Sequence, residues 1–230
     1  MEHSFTWVQV IPGLNTLPGH TATALLVALL LLILAVAARR GLERASEPLL
    51  PDGRVTPREI FELAVSFIAD LAEGIVGHGS ERYLPYFASL FLFILLANLI
   101  GLVPGFTPPT DSFNTTFGLG AVSFLAYNYY GLRAHGLPYL KHFAGPVIWL
   151  APLMIIIEVF SHAFRPVSLA IRLYGNMFAD HLVLGIFTNL TKLIIPVIFY
   201  VLGAFVCVVQ AFVFTVLSMV YVGLAVSHDH

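Results

Sequence analysis

The chain has 230 residues, of which 58% are hydrophobic and 10% charged, whereas a soluble globular chain carries about 25% charge. A soluble domain is excluded, because water could not solvate so apolar a surface. The net charge of −2 supplies no basic footprint for nucleic acid, and a single cysteine, Cys207, builds neither a disulfide framework nor a Cys-based metal site.

A membrane-crossing helix needs roughly 20 apolar residues. The first such stretch is residues 21–38, nearly all Leu, Ala, Val and Ile; with Arg39 and Arg40 it makes a span over 21–40. Ala35-Val36-Ala37 resembles a signal-cleavage site, but no Lys or Arg precedes the stretch and two arginines follow it. That is the pattern of a signal anchor. Residues 56–78 read instead as an amphipathic helix. Thr56-Pro57-Arg58-Glu59 is a capping box with proline at the first helical position. Ile60, Ala64, Phe67, Ile68, Leu71 and Ile75 follow at helical spacing, with Glu59, Glu62, Asp70 and Glu73 largely off that stripe. Such a helix lies on the cytoplasmic membrane surface.

A second span covers residues 83–104, and a shorter, softer third covers 116–132. Two much longer stretches follow, 146–188 and 193–226. At about 1.5 Å per residue the first would extend roughly 65 Å and the second roughly 50 Å, against a hydrocarbon core of about 30 Å. The first has one internal proline after Pro152, Pro166, and no Gly/Asn-rich turn before Asn189. A long, steeply tilted, kinked helix with an antiparallel partner is expected. A tilt beyond the ordinary value of about 20° needs a reason, such as a curved partner surface.

Cationic loops stay cytoplasmic. Arg39, Arg40, Arg44, Arg54, Arg58 and Arg82 lie between the first two spans, and Arg133 and Lys141 between the third and fourth. Residues 1–20 and 104–116 have neither Lys nor Arg; Lys192, on the outer turn, is the exception. The expected fold is therefore an all-α, polytopic membrane protein. It forms one membrane domain with five crossings, its N-terminus outside and its C-terminus cytoplasmic.

Charged groups inside a membrane are costly and usually mark an ion pathway. The fourth stretch holds Glu158, His162, Arg165, Arg172, Asp180 and His181. On a helix, Glu158, Ser161, His162, Arg165, Ser168, Arg172, Asn176 and Asp180 fall within an arc of roughly 120°, one polar seam. His181 alone falls on the opposite side, toward another helix of the chain. Arg165 is equally explained by snorkelling or a structural pair. Arg172 is not: it is mid-segment, with no carboxylate three or four residues away. Its counter-charge must come from further off or from another protein. In the last stretch Gln210, Ser218 and Tyr221 share a face with Gly203; alone, a glutamine there is more often a helix–helix hydrogen bond.

These residues carry a resemblance. Ser168-Leu-Ala-Ile-Arg172-Leu-Tyr-Gly175-Asn176-Met177, with Glu158 upstream, resembles the signature of ATP synthase subunit a. Asn98-Leu-Ile-Gly-Leu-Val-Pro104 with Pro109-Thr110 and Thr115 resembles the family's second-span motif, and Gln210-Ala-Phe212-Val-Phe214 with Tyr221 its final helix. The resemblance runs from about Glu73 onward. It implies a proton-translocating stator subunit of an F-type ATP synthase in a bacterial inner membrane. The implied partners are a c-subunit ring, the b-subunit peripheral stalk and the rest of the synthase. The chain would not be catalytic alone and would need no cofactor or metal. Two offset aqueous half-channels would pass protons to and from the ring carboxylates. Arg172 would face those carboxylates, Glu158 and Ser168 would line the cytoplasmic path, and Asn176, Asp180, His181 and Gln210 the outer one. Ser218 and Tyr221 would complete the pathway set.

The chain departs from the family pattern at the outer end. Nine residues after the arginine many bacterial members carry Glu, and here His181 stands. Seven before the glutamine many carry His, and here Gly203 stands; Asp180 takes a place often held by glycine. The expectation is that Asp180 and His181 together do the work of a Glu and a distant His. Two other classes compete. A secondary transporter binding an anion through Arg172 and Glu158 would show internal repeats, which are absent from the sequence. A membrane metalloenzyme using His162 and His181 would want its ligands four residues apart, not nineteen.

Overall fold

In the computed structural model the described residues are 7, 17–44, 57–77, 79–136, 151–190 and 194–226. The Thr56 cap, residues 146–150 of the fourth stretch, Lys141 and Lys192 lie outside them. Among the described residues the chain is all-α: α1 (Gly19–Arg44), α2 (Pro57–Val76), α3 (Leu84–Leu99), α4 (Phe113–His135), α5 (Ala151–Leu190) and α6 (Ile194–Val226). Short 3₁₀ turns cover Ser80–Arg82, Ile100–Leu102 and Pro109–Asp111.

Four of these helices are long and apolar enough to cross a membrane, with spanning segments Gly19–Ala37, Leu84–Leu102, Leu153–Thr188 and Pro196–Val226. α4 is long enough at 23 residues but more polar, carrying Asn114, Thr115, Thr116, Ser123 and Asn128. α5 is one continuous 40-residue helix with Pro166 inside it; the stretch does not fold back. Proline there lacks the N–H that would bond the carbonyl of His162.

Lipid tails are as apolar as leucine, so helices in a membrane associate by close packing rather than by escape from water. The contacts follow that rule. A Cβ on Gly120 of α4 would lie 2.5 Å from the carbonyl oxygen of Pro166, so glycine lets the two backbones approach at the proline. The shared core includes Phe87, Ile94, Tyr127, Leu169, Leu173, Met177, Phe214 and Met219, all fully buried. α2 lays Ile68 and Ala72 into this core and sets Phe67 against Phe212 of α6, ring centroids 6.1 Å apart. Its Leu63 stays 72% exposed, an apolar surface that suits a helix lying along lipid.

The helices bring distant segments together at two opposite ends. At one end the start of α1 meets the loop after α3. A Cβ on Gly19 would lie 3.3 Å from Thr107 Oγ1, and Trp7 donates from its backbone N–H to Gly105 O (3.0 Å) and from Nε1 to Pro104 O (3.3 Å). Gly105 has φ +89°, and a Cβ there would meet the Trp7 ring at 2.6 Å; only glycine fits. At the other end lie the Ser80–Arg82 turn and the last turns of α4 and α6, where Arg82, Arg133 and Val226 gather.

Candidate functional site

α5 sorts its residues by face. Leu169, Ala170, Leu173 and Met177 point into the bundle, fully or almost fully buried. Ser168, Ile171, Arg172, Gly175 and Asn176 are exposed. Arg172 sits near the midpoint of the helix and makes no hydrogen bond or ion pair among the described residues. A guanidinium left in lipid costs about 3 kcal/mol at a helix centre. The side chain is exposed, with no counter-charge among the described residues.

One turn further on, Asn176 Nδ2 donates to Gln210 Oε1 at 2.7 Å, tying α5 to α6. Gln210 is buried, and its Nε2 has no partner. The expected bond between helices is present, and it puts a second amide beside the level of Arg172.

Beyond Asn176 lies a polar cluster. Asp180 fits into the notch at Gly203: a Cβ there would stand 2.6 Å from Asp180 Oδ2. A side chain at 203 would push the Asp180 carboxylate from the position it holds. His181 faces the other way, as its helical phase predicts. A Cβ on Gly101 would meet its Nε2 at 2.8 Å and Pro108 at 2.7 Å. His181 Nε2 is buried without a hydrogen-bond partner.

The loop facing His181 contributes a group that the motif reading passed over. Asp111 closes the Pro109–Asp111 turn, and its Oδ1 is also buried without a partner. Burial pushes the Asp111 carboxyl above the usual carboxylate range, and the nearby His181 imidazole pulls it partly back. The turn is pinned by Thr110 Oγ1, which donates to Asn98 Oδ1 at 2.8 Å in the interior. Asp111 had a signal in the sequence: it is the only charged residue between Arg82 and Arg133.

On the other side of Arg172 the groups are separate. Glu158 and His162 form an i,i+4 pair, Oε1 to Nδ1 at 3.2 Å. Arg165 lies over the rings of Tyr127 and Tyr221, 5.7 and 5.2 Å from their centroids. Tyr221 therefore serves that cation–π contact rather than joining Gln210. Ser218 bonds Ser123 of α4 at 2.8 Å and donates to Phe214 O at 3.0 Å. Ser168 is exposed. Of the residues singled out from sequence, the structure brings together Asn176 with Gln210, and it turns the neighbours Asp180 and His181 to different walls. It leaves Glu158, Ser168, Ser218 and Tyr221 in different surroundings. Among the described residues no group of three or more His, Cys, Asp or Glu side chains could hold a metal ion.

The family of ATP synthase A chains matches residues 21–223. ATP synthase subunit a of Bdellovibrio bacteriovorus is 47% identical over 228 residues, 99% of this chain and 100% of that protein. ATP synthase subunit a 1 of Syntrophotalea carbinolica is 42% identical over 211 residues, covering 92% and 87% of the two chains. ATP synthase subunit a of Solibacter usitatus is 43% identical over 211 residues, covering 91% and 87%. The match spans the exposed Arg172, the Asn176–Gln210 tie and the four apolar helices, and the chain belongs to the ATP synthase subunit a family, the multi-pass membrane subunits with which that enzyme translocates protons.

Proposed function

We propose that this chain forms two offset half-channels that meet the carboxylates of a rotating c-subunit ring at Arg172. The observation that carries the reading is an exposed arginine in mid-membrane, unpaired among the described residues, with polar groups toward each end of its helix. A ring carboxylate facing lipid must stay protonated, since an ion there is expensive. One facing Arg172 can ionise, because an opposite charge lowers its pKa. Arginine never gives up its proton at working pH, so it parts the two paths rather than bridging them. Asp111, His181 and Asp180 would carry protons on the outer path toward Asn176 and Gln210. Glu158 and Ser168 would line the cytoplasmic path.

The direction rests on charge. Arg82 and Arg133 share the end where α3 begins and α4 and α6 finish, whereas Asp111 and Trp7 lie at the other. By the positive-inside rule the arginine end is cytoplasmic. That orientation places the α1 start outside and, with α4 counted as a span, gives five crossings. Ring and stalk subunits would cover the exposed apolar faces of α5 and α6, among them Ile171, Phe178, Val201 and Phe205.

Crosslinking tests the ring contact. Single cysteines at Ile171 or Asn176, in a background lacking Cys207, are expected to form disulfides with cysteines placed beside the ring carboxylate. Crosslinks from Leu63 or Leu125 alone, with none from α5, would contradict the reading.

A further inference from the structure

We propose that the cavity between Arg82 and Arg133 binds the phosphate headgroup of an anionic phospholipid. Its volume is about 730 Å³ and it is lined by Arg82, Tyr83, Tyr130, Arg133, Ala134 and Val226. Ligand sites run to about 300–1,000 Å³. Both arginines are exposed and make no ion pair among the described residues. The Ser80–Arg82 turn parts the charges: Glu81 lines a different, smaller cavity with Asp70 and Glu73, while Arg82 lines this one. Two guanidiniums without carboxylates suit a phosphate, which a guanidinium fork meets with paired hydrogen bonds.

Position selects the lipid. The cavity lies where one apolar helix begins and another ends, at the level of the membrane surface, and basic pockets between membrane helices at that level take anionic headgroups. Tyrosines belong there too. Tyr83 and Tyr130 pack edge to face at 4.7 Å and Tyr129 joins them at 5.6 Å, making a stiff aromatic wall. From Arg133 a run of exposed side chains, Leu132, Tyr129, Leu125 and Val122, descends one face of α4. That track suits acyl chains and offers nothing to a free phosphate. The inference needs only that the chain lies in a membrane, so it stands or falls apart from the proton route.

The test uses the purified synthase, exchanged into neutral detergent and offered phosphatidylglycerol, phosphatidylcholine or inorganic phosphate, with bound lipid counted by native mass spectrometry. Arg82→Gln with Arg133→Gln should weaken phosphatidylglycerol binding at this site roughly thirtyfold, about 2 kcal/mol at about 1 kcal/mol per arginine. Phosphatidylcholine binding should not change. Arg82→Lys with Arg133→Lys should keep most of the affinity. Equal phosphatidylglycerol binding by wild type and the glutamine variant would overturn the site. So would loss in the lysine variant as large as in the glutamine variant, which would mark disturbed packing. Full displacement of lipid by inorganic phosphate would reassign it to the free anion.

Discussion

Arg172→Ala is expected to reduce ATP-driven proton pumping to background while the complex still assembles. Arg172 contributes no hydrogen bond or ion pair to the described fold, and its neighbours Leu169, Leu173 and Met177 carry the packing of α5. Removing the guanidinium should thus leave the bundle intact and, on the proposed function, remove the cation beside which a ring carboxylate would ionise. Arg172→Lys should fail as well, because a compact ammonium sheds its proton when desolvated and arginine does not. Pumping is measured in inverted vesicles, with assembly checked by retention of the ATPase head. Normal pumping by assembled Arg172→Ala complexes would remove the basis of the reading.

Asp180→Ala with His181→Ala should slow proton flux on the order of a hundredfold, the scale of a lost proton-transfer group. Glu158→Ala should cost far less, because His162 stands beside it at 3.2 Å. The double change removes both outer-path groups at once, so neither can stand in for the other. The two face different partners: Asp180 the notch at Gly203, His181 the Gly101–Asp111 wall. Gly203→Ala should therefore slow flux too, by pushing Asp180 out of its notch rather than by removing a charge. Proton uptake by stripped vesicles measures all of these, and equal loss in Glu158→Ala and in the double variant would refute the ordering.

Much of this was legible in the sequence, for physical reasons. An unbroken apolar run with a single internal proline has nowhere to turn, so α5 came out as one helix. The 3.6-residue period separated His181 from the Arg172 seam, and in the structure it faces a different wall. What periodicity cannot supply is the partner across a helix interface. Tyr221 shares a helical face with Gln210, yet it packs on Arg165 because Tyr127 of α4 is there to complete the cation–π contact. Asp111 was passed over since a loop carboxylate reads as solvated; only the packing of the Pro109–Asp111 turn against α5 buries it. Asp180 and Gly203 were legible only as separate positions in the sequence, and the structure sets them side by side, a Cβ on Gly203 falling 2.6 Å from Asp180 Oδ2.

Single-cysteine reactivity reads directly which membrane face the polar groups on each side of Arg172 open to. In a background lacking Cys207, cysteines at 176 and 180 should react with a small impermeant thiol reagent supplied from outside, and one at 158 with reagent supplied from the cytoplasmic side. Reaction at 180 from the cytoplasmic side alone would contradict both the direction of α5 and the assignment of the two half-channels.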